Sequence, residues 1–170
     1  MARKKIQDLV GTTLGNYKII RCLGKGGMGT VYLGEHPTIR SKVAIKVLLP
    51  RFVADEEVTQ RFLDEALAVN SIGHPGIVRI HDCDDHDDIG VYLIMEFLDG
   101  KSLQQVLDTE HELSTAAAAV VIMQAASALN ACHKAGIIHR DLKPTTSTSC
   151  PIPTCRPTCG SSCSTSASPS

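Results

Sequence analysis

The chain changes character at Thr145, and that boundary decides how much of it can fold. Of the 26 residues from Thr145 to Ser170, all but Ile152, Arg156, Gly160 and Ala167 are Ser, Thr, Cys or Pro. A segment with so little apolar surface cannot offset the entropy of ordering its backbone, so residues 145–170 are expected to be a disordered tail. Whatever core the protein builds comes from the residues before it. With 43% hydrophobic residues and a net charge of -1 over 170 residues, the chain has the composition of one globular domain, without the basic excess that marks a nucleic-acid partner. The most apolar stretch, Ala116 to Ala131, is interrupted by Gln124, Ser127 and Asn130, and the basic MARKKIQDLV start leads into no run of signal-peptide length. A cytoplasmic protein with no membrane segment is expected.

The seven cysteines do not read as a disulfide framework. Cys22, Cys83 and Cys132 stand singly in the body and are expected to be small buried hydrophobes, while Cys150, Cys155, Cys159 and Cys163 crowd the tail. Their C-x4-C-x3-C-x3-C spacing admits a zinc module, but no core-forming residues surround it.

Before Thr145 the periodicities are clear. Tyr17 to Leu23, Thr30 to Gly34 and Val43 to Leu49 are rich in Val, Ile, Tyr and Leu with glycines between them, which predicts three antiparallel strands. Asp55 to Ser71 repeats apolar residues at Val58, Phe62, Ala66 and Val69, the spacing of a helix that packs one face. Ile77 to Ile80 and Val91 to Phe97 predict two further strands. Between them DCDDHDD, whose five aspartates repel one another, reads as a solvated hairpin loop; a calcium loop would need the bidentate Glu and turn Gly that are missing. A short helix is predicted over Ser102 to Leu107 and a long one from an N-cap at Ser114 to about Lys134, ended by Gly136. This last helix is apolar nearly all round, so it needs cover on several sides.

Four features carry chemistry. Gly24, Gly26 and Gly29 in LGKGGMGTV form a tight strand-to-strand turn where backbone N–H groups can approach phosphate oxygens, although a plain glycine hairpin would look the same. Dinucleotide binding would require a helix directly after the glycines, and VYLGE is strand-like. Lys46 sits in VAIKVL, a strand apolar on both faces, where a lysine calls for an anion or for an edge along which to snorkel. Glu65 shares the apolar stripe of its helix with Phe62 and Val69, and Lys46 is the available partner; losing one member of such a buried pair would cost about 3–5 kcal/mol. Asp141 and Lys143, two apart in IIHRDLKP, suit an acid that accepts a hydroxyl proton beside a cation that steadies a transferring phosphate.

Taken in order, Gly24 to Val31, Val43-Ala44-Ile45-Lys46, Glu65, Tyr92 to Phe97 and His139-Arg140-Asp141-Leu142-Lys143-Pro144 resemble the eukaryotic-like, bacterial-type protein serine/threonine kinases. The resemblance runs from about Leu14 to Pro144. It implies an α+β fold: an N-terminal extension over residues 1–13, a small lobe and hinge over 14–98 with a five-stranded antiparallel sheet and one long helix, and a partial large lobe over 99–144. It further implies that ATP binds there, with residues 24–31 over its phosphates, Lys46 on the α and β phosphates, and Glu65 fixing Lys46. Leu23, Val31 and Ala44 would sandwich adenine, Met95 would guard the back pocket, and the backbone of Glu96 to Leu98 would hydrogen-bond the base. Asp141 would be the catalytic base, Lys143 would neutralise the transferring group, and a protein would be the phosphate acceptor.

The tail departs from that family. The Asn that the family places five residues past the catalytic Asp, where it holds a magnesium ion, is here Thr146, and no Asp-Phe-Gly follows within the chain. The expectation is therefore phosphoryl transfer at or near background, and a change of reading frame after the catalytic-loop motif would produce such a boundary. The alternative is a non-catalytic module that binds nucleotide or pairs with an intact kinase.

Overall fold

The computed structural model describes residues 9–138 and 142. Six strands, β1 (Thr13–Leu14), β2 (Tyr17–Lys25), β3 (Gly29–Glu35), β4 (Lys42–Leu48), β5 (Ile80–His86) and β6 (Gly90–Glu96), form one antiparallel sheet in the order β1-β2-β3-β4-β6-β5. Two helices stand between β4 and β5, α1 (Pro50–Val53) and α2 (Glu56–Ser71), and two follow the sheet, α3 (Leu103–Glu110) and α4 (Thr115–Lys134).

The double-sided apolar pattern of β4 follows from its place in the middle of this sheet. Val43, Ile45 and Val47 pack on one face with Tyr32, Tyr92, Ile94 and the incoming Leu9 and Leu14. On the other face Leu48, Val91 and Leu93 meet Phe62 and Ala66 of α2. Alternation along β6 divides its residues between the same two clusters, as a pleated strand with both faces covered must.

Four of the five predicted strands are present, the predicted Ile77–Ile80 shares only Ile80 with β5, and the two-residue β1 adds a further strand on the outer side of β2. The stretch expected as a loop, DCDDHDD, is different: Asp82 to His86 belong to β5, which starts at Ile80 rather than Ile77. The reason is its position. β5 is the outermost strand and its aspartates are exposed, so they keep their water while the backbone pairs with β6, and charge along an edge discourages a further strand from adding to it. The turn itself is confined to the residues between His86 and Gly90. Position also corrects the cysteines. Cys22 and Cys83 are exposed and Cys132 is half-buried, because β2 and β5 lie toward the sheet margins, where the second layer does not reach.

The helix signals hold in detail. Asp55 caps α2 by accepting from the N–H groups of Glu57 and Val58 at 3.1 and 3.2 Å. Ser102 and Gln105 form a reciprocal capping box that carries α3 to Glu110, beyond the predicted Leu107. Ser114 caps α4, and Gly136 follows it with φ +77°. The turn ahead of β5 is tied to α4 through His74: Nδ1 accepts from the N–H of Gly76 at 3.0 Å, which leaves Nε2–H to donate to Ser127 Oγ, also 3.0 Å away. α4 has the length and hydropathy of a membrane-crossing helix and little of it is buried, with Ile122 and Met123 66% and 63% exposed.

Candidate functional site

The strand register gathers most of the predicted site residues on one face of the sheet. Gly24 pairs with Val31, Val31 with Lys46, and Lys46 with Leu93, so these four form one row across β2, β3, β4 and β6. The neighbouring row on the same face is Leu33, Ala44 and Met95. This is the face on which α2 packs; Arg21, Glu35 and Lys42 fall at its margin by the same register, and Lys46 lies half-buried between the apolar Val31 and Leu93.

The glycine turn closes above Lys46. β2 ends at Lys25 and β3 begins at Gly29, and the N–H of Gly26 donates to the carbonyl of Gly29 at 2.8 Å. A Cβ at Gly29 would lie 2.6 Å from the Val47 carbonyl oxygen, so β3 can pass this close to the β4 backbone only because residue 29 has no side chain, and the same Cβ position lies 3.6 Å from Lys46 Cγ, at ordinary contact distance. At Gly24 and Gly27 an added Cβ would meet nothing within 4 Å, so local packing does not demand glycine there. Two bonds hold the turn from the far end of β4: Leu49 N–H to Met28 O at 2.9 Å, and Arg51 Nη2 to Gly27 O at 2.8 Å.

The predicted Lys46–Glu65 ion pair is not formed. Among the described residues the ion pairs are Arg40–Glu35 and Arg61–Glu57, and Glu65 is exposed. The helix geometry explains it. At about 100° per residue, Ala66 lies roughly 40° to one side of Phe62 and Glu65 roughly 60° to the other, at the margin of the buried stripe rather than in it. Phe62 takes the central place, and Lys46 Nζ stands 5.1 Å from the centre of its ring, within cation–π range.

At the other end of the face, β6 runs out through Met95 and Glu96. The Glu96 N–H is already given to the Arg79 carbonyl at 2.9 Å, which leaves Glu96 only its carbonyl for a base. Leu98, half-buried just past the strand, makes no backbone hydrogen bond among the described residues, and a backbone in that condition has capacity for a ligand. Leu23 is half-buried at the register shift in β2 between Cys22 and Gly24. Asp141, Lys143 and Thr146 lie outside the described residues. Sequence reasoning missed Leu33, Arg51 and Phe62. Only Phe62 had a usable signal, since it lies three residues before Glu65 on the same stripe.

An antiparallel sheet with one long helix on the face that carries a lysine, entered through a glycine turn and followed by two further helices, is the small lobe and large-lobe opening of the protein kinase fold. The family model described as the protein kinase domain matches residues 17–146, well over half the chain, and the protein belongs to that family in its bacterial serine/threonine type. The match ends two residues past Pro144, beside the compositional break. Among curated relatives, the serine/threonine-protein kinase Pkn1 of Myxococcus xanthus is 50% identical over 136 residues, covering 80% of this chain and 19% of the relative. PrkC of Bacillus subtilis (strain 168) is 38% identical over 137 residues, covering 80% of this chain and 21% of the relative. The crystal structure of the Mycobacterium tuberculosis PknI kinase domain aligns with a TM-score of 0.67 at 32% identity, covering 80% of this chain and 55% of that one. The chain thus spans about a fifth of the length of the curated relatives it matches.

Proposed function

We propose that residues 14–98 bind ATP on the α2 side of the sheet and that the activity this lobe serves is phosphoryl transfer to serine or threonine of a protein. The observation that carries the reading is the continuous row Gly24–Val31–Lys46–Leu93, with Gly29 brought against the Lys46 stem. It sets one cation and a turn of exposed backbone N–H groups beside an apolar row, which suits the charged and the flat part of one nucleotide. Val31, Ala44 and Leu23 would hold the base, with Met95 behind it and the Glu96 carbonyl and Leu98 backbone along its edge. Glu65 would meet Lys46 only after α2 turns. Asp141 would accept the acceptor hydroxyl's proton, and Lys143 would offset charge on the transferring group. A supply of ATP accords with a cytoplasmic compartment.

The residues do not fit magnesium as the family uses it. Thr146 offers a neutral hydroxyl where a metal-binding amide oxygen is needed, and the 170 residues contain no Asp-Phe-Gly. Since this chemistry depends on positioning and charge stabilisation, the 170-residue chain itself is expected to transfer phosphate at background. That favours a second reading of the chain as a nucleotide-binding module, free to pair with an intact kinase. A labelled-phosphate assay on a generic basic protein separates the two: background counts, equal in Lys46→Met, are predicted, and incorporation that Lys46→Met abolishes would show an active enzyme.

A further inference from the structure

We propose that Phe62 is a positioning residue for Lys46, its ring face seating the ammonium while no carboxylate reaches it. The proposal builds on Lys46 being the phosphate-contacting cation. Lys46 Nζ lies 5.1 Å from the Phe62 ring centre. Neither ion pair among the described residues involves Lys46, and Glu65, the nearest carboxylate along the helix stripe, is exposed.

The ring is a fixed seat. Phe62 is 4% exposed and locked in the cluster with Leu48, Ala66, Val91 and Leu93, so its orientation is set by the core and not by the lysine. The lysine stem is flexible and its ammonium strongly hydrated, so an unheld Lys46 would swing over many rotamers toward water. Leu93 flanks it on the same face, and partial desolvation strengthens the attraction to the negative face of the ring. A cation already held beside Gly29 loses less freedom when a phosphate arrives. Phe62 therefore raises nucleotide affinity without touching nucleotide.

The test is the ε-methylene proton resonance of Lys46 in the full chain, labelled with carbon-13 at lysine and assigned with Lys46→Arg. Protons over a ring face are shielded, so the unsubstituted chain should place this resonance upfield of the other lysines. Phe62→Met, similar in volume but without a ring, should return it to the bulk position and weaken ATP binding about threefold; Phe62→Tyr should retain both shift and affinity. A Lys46 resonance in the bulk position in the unsubstituted chain overturns the proposal whatever the variants do. So does one that moves with Glu65→Gln and not with Phe62→Met. A shielded resonance in a chain that binds no ATP would uphold the seat and refute the phosphate-contacting role of Lys46, so the two failures are distinct.

Discussion

Gly29 and Gly27 are the same residue type in one turn, yet they are glycine for different reasons. A methyl at residue 29 would press on the Val47 carbonyl at 2.6 Å, while at residue 27 it would meet open space. Gly29→Ala should therefore lower stability by about 1–3 kcal/mol in a denaturant titration, and Gly27→Ala by less than about 0.5 kcal/mol, any harm it does appearing in nucleotide binding. Tyr92 gives a pH prediction. Burial pushes its phenol up to about 12, helped by the charge of Asp84, to whose Oδ2 the hydroxyl donates at 3.3 Å. The folded form holds this proton more tightly than the unfolded one, so the stabilisation is fully present below the ordinary pKa of 10 and is lost as pH rises toward 12. Ultraviolet titration should find a late-ionising tyrosine, and Asp84→Asn should move it back toward 10. The glycine positions and Lys46 were legible in the sequence because each breaks a local rule. The exposure of Glu65 was not, because a margin residue and a stripe residue share the same spacing.

The elements were legible wherever a local signal and burial agreed. α2 shows this: an Asp cap, two glutamates in its first turn, then one apolar stripe ending in the cluster around Phe62 and Ala66. Asp55→Ala should cost about 1 kcal/mol, read as a shift of the denaturation midpoint with unchanged slope. β5 failed the same reading because an edge strand needs no buried side chain. Its order comes from backbone bonds to β6, from Ile80 to His86, and those leave no mark on hydropathy. Cys22 and Cys83 were misjudged for the same reason: residue type predicts burial only where a second layer exists to bury it. α4 raised the opposite difficulty. Its apolar character was plain, but which of its sides are covered cannot be read from its own sequence, and Ile122 and Met123 are open among the described residues.

At the scale of the whole molecule, one sheet has two working faces. The face of Leu9, Leu14, Tyr32, Ile45 and Tyr92 is sealed and supplies stability. The other is only partly closed by α2 and holds a lysine, a glycine turn and an apolar row together. That division was implicit in the apolar run of β4, since a strand covered on both sides carries a lysine only where an anion meets it or where its stem can reach an edge. The division makes nucleotide binding separable from transfer chemistry, and a single measurement addresses it: the melting temperature of the 170-residue chain titrated with ATP to millimolar concentration, beside Lys46→Ala. The account predicts a saturable rise of a few degrees in the unsubstituted chain, as expected when ligand reaches several times its Kd, and at least about tenfold weaker binding in Lys46→Ala. An unmoved melting temperature at millimolar ATP, or an equal rise in Lys46→Ala, would contradict it.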